Sequence, residues 1–64
     1  MQVRIYIGEP LTSEETPIVR YDEKDRVIES TTLKELYENG WTLHSIAPIP
    51  EDSPFRVYVT VERK

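Results

Sequence analysis

The chain has 64 residues, no cysteine, and 12 acidic against 8 basic side chains, for a formal charge of −4. A chain this short is expected to form one domain spanning residues 1–64 and to bury only about 60% of the surface its unfolded form exposes; without thiols, neither a disulfide nor a thiolate metal site can staple the core. The acidic balance argues against nucleic acid as a partner, because affinity for phosphate backbones comes from Lys and Arg displacing counterions.

Residues 2–7 alternate, with Val3, Ile5 and Ile7 interleaved by Gln2, Arg4 and Tyr6, and this period of two predicts a half-buried first strand. No continuous apolar run precedes or follows it, so neither a signal peptide nor a membrane span is expected, and the cytoplasm is the default location. Residues 8–17 carry two prolines and three glutamates and are expected to form an exposed loop. Ile18-Val19-Arg20-Tyr21 and Arg26-Val27-Ile28-Glu29 flank the polar turn Asp22-Glu23-Lys24-Asp25, which predicts a hairpin. The turn lacks the ligand spacing of a calcium loop, so its carboxylates are assigned to turn chemistry.

The most explicit local instruction lies in residues 30–41. Thr32 and Glu35 have the spacing of a capping box, and Leu33, Leu36 and Tyr37 make one apolar stripe. Asn39-Gly40 ends the helix, and Trp41 stands where a Schellman stop folds an apolar residue back onto Leu36. A fourth strand is expected over residues 41–47, a proline-stiffened connection over 48–54, and a last strand from Phe55, with Val57, Val59 and Val61 on one face.

The expected fold is therefore α+β: a small antiparallel sheet of about five strands in the order β-β-β-α-β-β, with one helix packed on one face. Placing the first and last strands centrally puts Val3, Ile5, Ile7, Leu43, Trp41, Phe55, Val57 and Val59 beneath Leu33, Leu36 and Tyr37. Strict alternation then projects Arg4, Tyr6, Thr42, His44, Ile46, Arg56, Tyr58 and Thr60 from the uncovered face. Arg4, Tyr6, His44, Arg56 and Tyr58 are the candidate partner- or ligand-binding residues, because they combine cations with aromatic rings.

No catalytic residue is expected. His44 and Ser45 alternate to opposite faces, the two glycines cannot build a phosphate loop, and a single histidine without a carboxylate cluster does not suggest zinc. No cofactor or metal is called.

The run Leu33-x-x-Leu36-Tyr37-Glu38-Asn39-Gly40-Trp41-x-Leu43-x-Ser45-Ile46, followed by the strand from Phe55 to Arg63, resembles a family of short uncharacterised bacterial and phage proteins. In that family a helix ends in Glu-Gly-Trp, an x-Leu-x-Ser-Val strand follows, and an aromatic-rich strand closes the domain in basic residues. The resemblance covers roughly the last thirty residues, departing at Asn39, and the hairpin at residues 18–29 is additional. It implies a compact α+β domain of phage or mobile-element source and carries over no catalytic residue.

These readings converge on a non-enzymatic protein-binding module acting through the open sheet face, with another protein or a second copy of itself as partner. A phage-type inhibitor of a host or defence protein fits that description, either by covering a surface or by mimicking nucleic-acid charge with Glu14, Glu15, Asp22, Glu23, Glu51 and Asp52. The alternative is a sponge or sensor for a small anionic, nucleotide-like ligand held by Arg4, Tyr6, His44, Arg56 and Tyr58.

Overall fold

The computed structural model describes residues 1–51 and 55–64; residues 52–54, the end of the proline-rich connection, lie outside the described residues. Strands β1 (Gln2–Gly8), β2 (Ile18–Tyr21) and β3 (Val27–Thr31) precede helix α1 (Leu33–Glu38), and β4 (Thr42–Pro48) and β5 (Val57–Arg63) follow it. The α+β fold is thus the expected one, with a five-stranded antiparallel sheet in the order β3-β2-β1-β5-β4. The first and last strands are adjacent near the middle of the sheet, and β3 and β4 are its edges.

Local chemistry explains the helix at both ends. The Thr32 hydroxyl accepts the Glu35 N–H at 3.3 Å, and the Lys34 N–H donates to the Glu14 carbonyl at 3.0 Å. Two helix donors are thereby satisfied, one of them by the loop between β1 and β2. That loop was expected to lie in water; its glutamates do, but its backbone docks on the helix and Leu11 packs against the core. Glu35 does not close the reciprocal half of the capping box, because its carboxylate takes the Thr31 hydroxyl at 2.9 Å instead.

At the other end the Trp41 N–H bonds the Leu36 carbonyl at 3.0 Å and the Gly40 N–H bonds Tyr37 at 3.1 Å, which is the Schellman pattern. Gly40 has φ +86°, a conformation that a Cβ disfavours. The stop delivers Trp41 into the core with Leu33, Leu36, Tyr6, Ile18, Val59 and Val61. Tyr37 lies outside that core at 37% exposure, and Phe55, expected within the last strand, precedes it and is 73% exposed.

Expected orientations are reversed in two strands. In β1, Tyr6 is fully buried while Val3 and Ile5 are more than half exposed. The register explains why: Arg4 is opposite Val61 and Tyr6 is opposite Val59, so the even residues of β1 share the helix side with the core valines. Gly8 belongs to this even set, and a Cβ there would lie 2.8 Å from Ile18 Cγ2 and 3.0 Å from the Pro17 carbonyl. A slip of one residue would put Ile7 at this close approach, so the glycine holds the register that turns the aliphatic set outward. In β4, Leu43 is opposite Val61 while Ser45 is opposite Thr60, which leaves His44 as an extra, bulged residue. The bulge resets the alternation, and Ile46, expected on the open face, pairs with Val59 on the helix side.

The hairpin turn is held by Asp22. Its Oδ1 accepts the N–H groups of Lys24 at 2.8 Å and Arg26 at 3.0 Å, and its Oδ2 meets the Arg26 guanidinium at 3.0 Å. The Arg26 backbone bond is the largest cause holding this carboxyl below its usual pKa, aided by Lys24 and the Arg26 side chain. A depressed folded-state pKa stabilises the fold above the unfolded value and loses that contribution as pH falls through the folded one. Asp22→Asn is expected to flatten this acid limb in urea-denaturation midpoints measured from neutral pH downward; an unchanged pH profile would remove Asp22 from the account of acid stability.

Candidate interaction surface

Cross-strand partners share a face, so the register defines the open side residue by residue. Ile7 is opposite Tyr58 and Val19, Ile5 opposite Thr60, Val3 opposite Glu62, and Tyr21 opposite Val27. Ser30, Thr42, Ser45 and Ala47 complete the set through their pairings with Val19, Glu62, Thr60 and Tyr58. Glu62 is the one formal charge among these paired open-face residues. Val3, Ile5, Val27 and Ile28 are each 53–55% exposed.

An antiparallel sheet with one covered face ordinarily turns polar side chains outward on the other. Here that distribution is inverted. The charged strand residues Arg4, Arg20, Glu29 and Arg63 stand on the helix side, paired in register with or adjacent to the core, while the side without a helix carries the aliphatics.

Beside α1, Arg4, Glu29 and Arg63 line a polar cleft of about 260 Å³ with Thr31, Glu35 and Asn39. Glu29 lies between two arginines, 3.1 Å from Arg20 Nε and 3.8 Å from Arg4 Nη1. Arg4 and Arg63 both lie over the Trp41 ring, with guanidinium carbons 4.6 and 4.5 Å from its centre. Arg63 is further fixed by the Gln2 amide oxygen at 2.7 and 3.1 Å and by the Asn39 carbonyl at 3.3 Å. The Tyr6 hydroxyl is buried beside Arg4 and Glu29, with no aligned hydrogen-bond partner among the described residues. Burial raises its pKa above the usual phenol value; Arg4 opposes the rise and Glu29 adds to it.

The five sequence-derived candidates are therefore divided. Tyr58 is on the open face, and Arg56, just ahead of β5, lines a shallow depression with Ile7 and Tyr21. Arg4 and Tyr6, expected beside them, lie on the helix side, while His44 is at the edge-strand bulge. The residues that sequence reasoning assigned to the core, Val3, Ile5 and Ile7, make the centre of the exposed face. Gly8 was the available signal, since a glycine ending an alternating strand marks a close backbone approach. The proposed charge mimic is also reduced: Asp22 is neutralised by Arg26, Glu15 lies 3.6 Å from Lys34, and Asp52 falls outside the described residues.

Among the described residues no helix is long and apolar enough to cross a membrane, and no group of three or more metal-ligating side chains is brought together. No protein-family model matches the chain, and no curated protein or solved structure shows significant similarity to it.

Proposed function

We propose that this chain is a non-enzymatic protein-binding module whose working surface is the open sheet face. One observation carries the reading: the aliphatic half of β1 faces away from the helix, on a surface whose paired strand residues include a single charge. Exposed contiguous apolar patches rimmed by polar groups mark interaction sites, and depletion of charge at the centre with aromatic residues present is the composition of interface cores. Tyr21 and Tyr58 supply the rings. The partner surface must be apolar and sparsely charged itself, since burying an unpaired charge against Ile5 would cost more than the contact returns. Binding of the fluorescent dye ANS, measured at concentrations dilute enough to keep the chain monomeric, tests the surface directly. Ile5→Lys is expected to abolish binding seen with Lys34→Gln on the helix side, and equal dye binding by both variants would contradict the proposal.

A second reading, as a receptor for a small anion, is favoured by the polar cleft. Among the described residues Arg4 has a long ion pair to Glu29, and its guanidinium is held in place over Trp41. The planar fork of a guanidinium suits a carboxylate or phosphate oxygen. Inorganic phosphate is then expected to raise the melting temperature with saturation, because a ligand bound only by the folded state stabilises by mass action. Arg4→Gln removes the effect; an equal rise in wild type and Arg4→Gln would reduce it to a general salt effect.

A further inference from the structure

Resting on the reading of the open face as a binding surface, we infer that its occupant is a second copy of this chain, packed sheet on sheet about a two-fold axis.

Area is the first argument. A monomer of 7.5 kDa is expected to expose about 4,250 Å², whereas this chain exposes 4645 Å². The excess has the sign expected of a subunit separated from its partner. The molecule measures 31 × 28 × 18 Å. Its broad side is bounded at about 870 Å², close to the roughly 800 Å² that each partner contributes to a stable interface.

Self-complementarity is the second. In a two-fold interface each residue meets the partner's version of the same patch, so the patch must tolerate itself. Aliphatic and hydroxyl side chains do so. The charges on and beside this face lie toward opposite ends of β5, with Arg56, Asp25 and Glu9 near its start and Glu62 near its end. An axis in the interface plane and perpendicular to the strands runs β5 antiparallel to its copy. This sets the two Glu62 carboxylates at opposite ends of the interface, while an axis along the strands would bring them to the same end. Ile5, at the middle of β1, and Thr60 opposite it then lie near the two-fold, at the dry centre of a sandwich with its sheets about 10 Å apart.

Sedimentation velocity of the full chain tests this. The wild type is expected at twice the 7.5 kDa chain mass, and Ile5→Lys, which places two ammonium groups at the centre, is expected to weaken the dimer about 30-fold or more, as for a central interface anchor. Thr60→Lys makes the same test at a residue outside the core cluster, for the case in which Ile5→Lys alters folding, which circular dichroism reports. A wild-type dimer that both folded lysine variants leave intact overturns the inference. A wild-type monomer whose ANS binding depends on Ile5 overturns the second copy as occupant and leaves the binding surface standing. A monomer without such dye binding overturns both.

Discussion

Trp41→Ala is expected to leave the chain unfolded at room temperature. Removing a buried tryptophan costs about 3–5 kcal/mol, and a single core in a domain this small supplies only about 3–5 kcal/mol in total. Trp41 is 3% exposed and joins three things that no other residue joins: the Schellman stop of α1, the apolar cluster with Leu36 and Val61, and the two guanidiniums that lie on its ring. Its loss opens the end of the helix and leaves Arg4 and Arg63 without the aromatic surface that orders them. Trp41→Phe keeps an apolar ring and is expected to fold with a lower urea midpoint. Far-ultraviolet circular dichroism distinguishes the outcomes, and a cooperative native spectrum for Trp41→Ala would show that the helix is held by something other than this residue.

Tyr6→Phe is expected to act in the opposite direction. The ring is fully buried, and its hydroxyl has been taken out of water without an aligned partner among the described residues. Leaving a buried hydroxyl unsatisfied costs about 1–3 kcal/mol, and the phenylalanine keeps the ring without that penalty. A gain of about 1 kcal/mol or more in urea denaturation at neutral pH is therefore expected. The same group gives the alkaline limb its sign. A phenol whose folded pKa is raised stabilises the fold below the unfolded value and loses that contribution as pH climbs toward the raised one, so Tyr6→Phe also flattens the loss of stability above about pH 10. A destabilised Tyr6→Phe would mean that Arg4 or Glu29 bonds the hydroxyl in solution.

How much of this was legible in the sequence divides at β1. The helix and its two ends were readable because capping and the Schellman stop are local: Thr32, Gly40 and Trp41 act within a few residues of one another. The number and sequence of the elements were readable from length and alternation; their order in the sheet was not, since the first and last strands could equally have stood at its edges. The faces were not, because periodicity gives two alternating sets without saying which is covered. Val3, Ile5 and Ile7 are the more apolar set, yet Tyr6 lies under the helix since its ring meets Val59 and Ile18 in the core and Gly8 admits the close approach of β2. In β4 a single bulge at His44 restored Ile46 to the covered side, and bulges leave little trace in a sequence. The polar cleft was missed in part for the same reason, as Arg4 comes from the strand assigned to the wrong face.

Isotope-filtered nuclear Overhauser spectroscopy on an equal mixture of labelled and unlabelled wild-type chain addresses the central claim most directly, because it reports contacts between copies without any substitution. The account predicts intermolecular cross-peaks linking the methyl groups of Val3, Ile5 and Ile7 to one another and to the Tyr58 ring, with none from Leu33 or Leu36. Intermolecular peaks confined to the helix side, or absent at concentrations where the chain sediments as a dimer, would contradict it.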